Sequence, residues 1–175
     1  AVVLSYYDSG WPQLFDIEKA ALLEIFGEES TLVEHIGSTA VPGMTAKPVI
    51  DIMLGVPGLH RVDDRLTEVE AQGWFYVPEY EDEMPFRRFF LKCRKDGSRS
   101  HHLHAVESGS DFWVRHIEFR DYLRANSAEA EAYGAFKLLL LAEKIDRHKI
   151  YSAAKGEFIG AMAERARLWS MAQKG

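Results

Sequence analysis

The stretch Val33–Val56, reading VEHIGSTAVPGMTAKPVIDIMLGV, limits what this chain can become more than any other part of it. An apolar, strand-like entry (Leu32, Val33, Ile36) leads into a small polar turn, Gly37-Ser38-Thr39, and then into a loop carrying Pro42, Gly43 and Lys47. A second apolar run follows, Val49 to Leu54, with one carboxylate, Asp51, at its middle. Side chains alternate across a strand, so Val49, Asp51 and Met53 share one face while Ile50, Ile52 and Leu54 share the other. An ionised aspartate left unpaired among such neighbours costs several kcal/mol, so Asp51 requires a cation, a metal ion or a proton beside it.

The rest of the chain supplies a frame for these two strands. Trp11, Leu14, Phe15, Leu22, Ile25 and Phe26 recur at helical spacing, with Pro12 suited to a first turn and Gly27 to a stop, which predicts a helix over 11–26. Strands are expected at Thr31–Ile36 and Pro48–Leu54, and a helix over 60–72 with Val62, Leu66 and Val69 inward. From Trp74 the period changes to two, giving strands at Trp74–Val77, Phe86–Cys93 and Arg99–Val106, the last two joined by a hairpin at Lys95-Asp96-Gly97-Ser98. The acidic run Glu79–Glu83 reads as a solvated turn. Ser110 is placed to cap a helix to about Arg124, Ser127 a longer one carrying Tyr133, Phe136, Leu140 and Leu141, and Tyr151–Met171 forms a third. This order predicts a single α+β domain, with a mixed sheet over about 31–107 and a helical half over about 110–172.

With 47% of its residues hydrophobic, the chain can bury one core. Its net charge of −6 disfavours a general nucleic-acid binder but leaves room for a small anionic ligand in a locally basic cleft. One cysteine, Cys93, permits no internal disulfide and fits a reducing, cytoplasmic setting. No apolar run is long enough to span a bilayer, and no signal-peptide pattern opens the sequence.

Five groups of residues offer chemistry. Gly37, Ser38 and Thr39 form a turn out of a strand into helix-like backbone, a natural seat for phosphate, although a plain tight turn explains a Gly-Ser pair equally well. Asp51, with Lys47 nearby, is either a metal ligand or a structural ion-pair member. Arg99-Ser-His-His-Leu-His104 places His102 and His104 on one strand face and His101 on the other. Two imidazoles on one face suit Zn²⁺, Mn²⁺ or Fe²⁺ with Asp51 or His35 completing the shell, or a phosphate, or general-base work, or a purely structural pair. Only one of Arg87 and Arg88 can face inward, there to meet Asp51 or a ligand phosphate. Arg120 and Arg124 stand at helical spacing around Asp121, as a surface pairing or with Arg120 reaching back to the cleft.

Taken together, Glu34-His-Ile-Gly-Ser-Thr-Ala-Val-Pro-Gly43, Ala46-Lys-Pro-Val-Ile-Asp-Ile52, His102-Leu-His104, Phe119-Arg-Asp-Tyr-Leu-Arg124 and Tyr151-Ser-Ala-Ala-Lys155 with Phe158-Ile159 resemble the GrpB family over nearly the whole chain. That family is assigned to the nucleotidyltransferase fold and also occurs fused behind dephospho-CoA kinase. The resemblance implies a cleft lined by Gly37, Ser38, Lys47, Asp51, His102 and His104. In the active members of that fold, two carboxylates one residue apart hold divalent ions, Mg²⁺ or Mn²⁺ ahead of Zn²⁺. Here Met53 stands at the second of those positions and His104 where a third acid is expected. Three expectations follow. The first is an enzyme or enzyme-like domain acting on a nucleotide or other phosphorylated small molecule, with catalytic Asp51 and His104, a phosphate seat at Gly37, Ser38, Thr39, Lys47, Arg87 and Arg88, and a metal on Asp51, His102 and His104. The second is an inactive ligand-binding or folding-accessory module. The third is a His/Asp metal-dependent hydrolase. A homodimer through the C-terminal helices is left open, and no membrane association is expected.

Overall fold

The computed structural model describes residues 3–142 and 148–175, and within the last helix the side chains of 153 and 155 onward. The stretch that dominates the sequence forms the edge and interior of a five-stranded mixed sheet with spatial order β1-β2-β5-β4-β3. Here β1 is Leu32–Ile36, β2 Ile50–Val56, β3 Phe75–Tyr76, β4 Arg87–Cys93 and β5 Arg99–Glu107. β1 runs antiparallel to β2, β2 parallel to β5, and β4 antiparallel to both β5 and β3. The α+β class expected from the order of elements is thus observed, and every expected strand is present with its ends shifted by a few residues. β2 begins at Ile50 rather than Pro48, because Pro48 has no N–H for a ladder. It also runs on through Gly55 to Val56.

The two sheet faces are covered differently. On one, Val33, Ile50, Ile52, Leu54, Val56, Phe90 and Leu103 pack beneath α1 (Trp11–Phe26), whose buried Trp11, Phe15, Leu22 and Phe26 lie on one side of the helix. α1 is tied to this face by a largely buried ion pair, in which Lys92 Nζ donates to both oxygens of Glu18 at 2.9 and 3.1 Å while lying 4.8 Å over the Trp74 ring. On the other face, Ile36, Met53, Val106 and Phe112 form a smaller cluster with Trp113 and Ile117 of α4 (Asp111–Ala125). Ser110 caps α4 as expected, its hydroxyl accepting from Trp113 N at 3.5 Å. The region 60–72 departs from expectation. It forms two short helices, α2 (His60–Asp63) and α3 (Leu66–Ala71), because the backbone leaves helical geometry at Arg65, with φ −125° and ψ 18°.

The C-terminal half is helical as expected. α5 (Ser127–Ala142) and α6 (His148–Gln173) pack with α4 through Tyr122, Leu123, Ala130, Tyr133, Met162 and Ala166, and Val41 and Met44 of the β1–β2 connection join that cluster. Ser127 lies inside α5 rather than capping it: the Asn126 carbonyl accepts from Glu129 N and Ala130 N. α6 starts at His148, ahead of the expected Tyr151, and the side chains of Tyr151, Ser152 and Ala154 lie outside the described residues. No helix among the described residues is long and apolar enough to cross a membrane.

Gly55 tests how tightly α4 holds its face. A Cβ built there would stand 2.7 Å from both Ser108 Oγ and the Trp113 ring. Gly55→Ala is therefore expected to destabilise the fold by about 1–3 kcal/mol. Denaturant unfolding reads that as a lower midpoint with an unchanged slope.

Candidate functional site

The strand ladder brings the singled-out residues together. Asp51 pairs across to His102, and Met53 to His104, on the parallel β2–β5 ladder, so all four side chains share one face. His101 pairs with Ile50 and faces the opposite way. His102 Nδ1 lies 3.0 Å and His104 Nε2 3.3 Å from the same atom, Asp51 Oδ1. Beyond the imidazoles stand arginines: Arg87 is 3.2 Å from His104 Nδ1 and Arg99 3.5 Å from His102 Nε2. A guanidinium only donates, so each outer ring nitrogen accepts and each inner one carries the hydrogen that Asp51 receives. Burial by itself raises the Asp51 carboxyl, but the hydrogen bonds from His102 and His104 outweigh it and hold the group well below the usual carboxylate range. Burial likewise pushes His104 towards its neutral form, against the pull of Asp51.

The turn after β1 comes up against that carboxylate. Gly37 has φ 75°, a conformation that favours glycine, and a Cβ there would lie 2.6 Å from Asp51 Oδ2. The following backbone makes only a three-residue 3₁₀ turn, Ser38–Ala40, and Ser38 does not cap it. So short a turn contributes little of the dipole that a helix N-terminus brings to an anion. Charge comes from elsewhere: Lys137 of α5, only 4% exposed, donates from Nζ to Ser38 Oγ at 2.9 Å and lies 4.3 Å over the Tyr133 ring. Because Ser38 Oγ accepts that bond, its own hydrogen is left to donate. Burial, with the charges of Lys155 and Lys47 adding to it, lowers the Lys137 ammonium to about 8. The same causes, burial first and then Lys47, lower Lys155. Ser38, Lys47, Asp51, His102, Lys137 and Lys155 line one cavity of about 290 Å³.

Other expected residues have different places. Arg87 is the inward arginine; Arg88 faces away and is held by Asp63, with Nε 2.7 Å from Oδ1, and by Pro85 O. It is therefore no part of this cavity. Thr39 borders the cavity, but its hydroxyl is committed, donating to Val49 O at 3.0 Å and pairing with His35 Nε2 at 2.9 Å. His35 cannot complete a shell around Asp51. It pairs with Ile52 on the opposite face, stacks on Phe15 at 4.9 Å, and is lowered to about 4, first by burial and then by Arg124. Arg120 makes the expected pair with the partly exposed Asp121, donating from Nε at 3.0 Å, but it does not reach the cavity. It is buried, donating to Glu34 and to His35 O, while Arg124 donates to Ala40 O at 2.8 Å. The two arginines fasten α4 to the back of the turn that carries Ser38.

Lys137 and Lys155 were not among the expected site residues. One signal does mark Lys137. It falls four residues after Tyr133 and three before Leu140, on the apolar side of a leucine-rich helix, as anomalous there as Asp51 is in its strand.

Three donor atoms from Asp51, His102 and His104 lie within 4.8 Å of one another, a spacing that a divalent ion can use. Two imidazoles and one carboxylate suit Mn²⁺ or Zn²⁺ better than Mg²⁺. Met53, with no exposed surface, supplies no second acid.

A buried ammonium whose acidity is raised weakens the fold while it stays charged. The cost is fully present below about 8 and relieved as pH rises towards 10.5, where the unfolded chain still holds the proton that the folded chain has lost. Lys137→Met is accordingly expected to raise Tm at neutral pH, and the gap to the unsubstituted chain to narrow as pH rises through that window. Calorimetric scans of both proteins across that range check it.

The comparisons with known proteins agree with this architecture. The description "GrpB protein" fits residues 1–165. The chain is 37% identical over 168 residues to "UPF0157 protein YqkA" of Bacillus subtilis, covering 96% of this chain but 48% of that protein, so it spans about half the length of that relative. It is 36% identical to "Glutamate-rich protein GrpB" of Alkalihalophilus pseudofirmus, over 90% of this chain and 91% of the relative. The crystal structure of conserved protein GrpB from Enterococcus faecalis superposes with a TM-score of 0.82 at 34% identity, covering 95% of this chain and 99% of that one. Sequence and fold alike therefore place this chain in the GrpB family.

Proposed function

We propose that the cavity binds the phosphate group of a phosphorylated small molecule, with nucleotides among the ligand classes it suits. The observation that carries this reading is Lys137: a buried ammonium 2.9 Å from Ser38 Oγ, with Lys47 and Lys155 lining the same cavity. Ammonium groups gathered round one cavity repel one another, most strongly at the buried Lys137, and a phosphate offsets that repulsion directly. Ser38 would donate its hydroxyl hydrogen, the three lysines would supply charge, and Gly37 lets the turn approach without a side chain in the way. Asp51, His102 and His104 stand beside the phosphate as a hydrogen-bonded set able to move a proton at His104 Nε2 or His102 Nδ1.

Binding of inorganic phosphate, followed by titration calorimetry, tests the reading. The chain should bind it. Ser38→Ala should weaken binding about tenfold, and Lys137→Met by more, since hydrogen bonds to a charged group are worth roughly 1.5–3 kcal/mol. Equal affinity in all three proteins would sink the proposal.

A second reading, metal-assisted phosphoryl or nucleotidyl transfer, rests on the convergence of Asp51, His102 and His104. Those three would hold the ion, and when bound it supplies Lewis-acid polarisation of a phosphate oxygen. Mn²⁺ meets both the fold analogy and the donor set. The arginines oppose its entry, because Arg87 donates to His104 Nδ1 and so fixes the hydrogen on the nitrogen that faces Asp51. Mn²⁺ is thus expected to leave Tm unchanged on its own and to raise it when phosphate is present, with Asp51→Asn removing that increment. A Tm increase from Mn²⁺ alone, equal in Asp51→Asn, would place the ion elsewhere.

A further inference from the structure

Basic side chains gather along two adjoining cavities of this acidic chain: Lys47, Lys137 and Lys155 in one, Lys47, Arg94 and Arg99 in the other. The chain has 27 acidic against 21 basic side chains, so carboxylates are in excess. Away from the cleft some arginines pair with them, Arg88 with Asp63, Arg165 with Glu129 at 2.8 Å and Arg167 with Glu164 at 2.6 Å, while others, such as Arg115 and Arg124, donate to backbone carbonyls. Beside the cleft, and among the described residues, Arg87, Arg94 and Arg99 hydrogen-bond only to uncharged groups, while the Arg94 charge also acts on the Asp96 carboxylate. Arg94 donates to Pro48 O, Arg99 O and Ser98 Oγ, and Arg99 donates to the Tyr80 hydroxyl at 3.2 Å and faces His102.

Two of these arginines lie along an open groove of about 750 Å³ that adjoins the phosphate cavity. The cavities share Lys47, Val49 and His102. Arg94 and Arg99 stand in the groove beyond the shared residues, while Pro48, Val49 and Val3 give an apolar floor. Its one carboxylate, Asp96, is turned back on its own hairpin, accepting from Ser98 N at 2.9 Å and Ser98 Oγ at 2.6 Å.

From this we infer that the ligand carries two anionic groups. A phosphate occupies the inner cavity, and a second phosphate or carboxylate lies against Arg99 and Arg94, with the connecting part over Val49 and Pro48. The inference rests on the phosphate reading above and adds the class of molecule. The groove is too large and too cationic for an inner phosphate alone. Joining two anions in one ligand makes the second binding event intramolecular, which raises affinity well above that of either group.

The test uses inorganic phosphate and a series of α,ω-alkane bisphosphates, ethane- to octane-diyl, by titration calorimetry on the whole chain. One length is expected to bind about a hundredfold more tightly than inorganic phosphate, with shorter and longer members weaker. Arg99→Met should cut that ratio to about tenfold or less, and Arg99→Lys, which keeps the charge, should retain most of it. The outcomes separate the two claims. If inorganic phosphate and every bisphosphate fail to bind, both the phosphate reading and this inference fall. Should phosphate bind and no bisphosphate bind more tightly, only the two-anion ligand is overturned. A parallel loss of phosphate and bisphosphate affinity in Arg99→Met would also overturn it, since Arg99 would then act through the inner cavity.

Discussion

One carboxylate oxygen, Asp51 Oδ1, receives hydrogen bonds from two imidazoles of the neighbouring strand, and the middle of the sheet depends on that arrangement. β2 is buried along nearly its whole length, and Asp51 is its only partly exposed residue. A slip of one residue in its pairing would turn Asp51 into the apolar cluster under α1, where Ile50, Ile52 and Leu54 now pack. The carboxylate thus specifies register as well as chemistry. It can do so because His102 and His104 meet it from the same face of β5, and because Gly37 offers no side chain where the turn crosses it.

Charge elsewhere is organised around that acid. An acidic chain gathers lysines and arginines at one cleft, where Arg94 and Arg99 hydrogen-bond to no carboxylate among the described residues, whereas Arg88, Lys92 and Arg165 pair with carboxylates elsewhere. Burial disfavours the Lys137 ammonium, which is held by Ser38 Oγ and lies over the Tyr133 ring. Residues that weaken a fold and concentrate one charge in a cavity are usual where a ligand of the opposite charge is to be bound.

The parts of this structure that could be read from the sequence are those set by short-range periodicity. Alternation along β2 and β5 groups Asp51 with Met53 and His102 with His104, and it separates His101, because a strand leaves a side chain only two directions. The same rule says that one of Arg87 and Arg88 points inward, but not which. That depends on how β4 registers against β5, where Phe89 pairs with His104. Lys137 and Lys155 are out of reach for another reason: their meeting with Ser38 and Lys47 is decided by how α5 and α6 dock against the β1–β2 connection, a contact across about a hundred residues of sequence. The pairing of Arg120 with its neighbour Asp121 is legible from the sequence, but its second set of bonds, to Glu34 and His35 O, depends on how α4 docks on β1. The break at Arg65 leaves the apolar spacing of Val62, Leu66 and Val69 intact, so the pattern alone reads as one helix.

Met53 bears directly on what chemistry the cleft can support. A pair of acids one residue apart would bring two negative charges to the sheet, enough to hold divalent ions in a cleft already rich in lysine and arginine. With Met53 buried on that ladder and His104 opposite it, the sheet offers one carboxylate and two neutral-capable rings to several cations. A divalent ion arriving alone therefore adds positive charge where positive charge is in excess. One arriving with a phosphorylated ligand does not, because the ligand's charge offsets both the ion and the lysines. With methionine rather than an acid at that position, the charge requirement falls, under the proposed reading, on the ligand. On that reading, any metal chemistry at Asp51 is conditional on an anion held by the lysines.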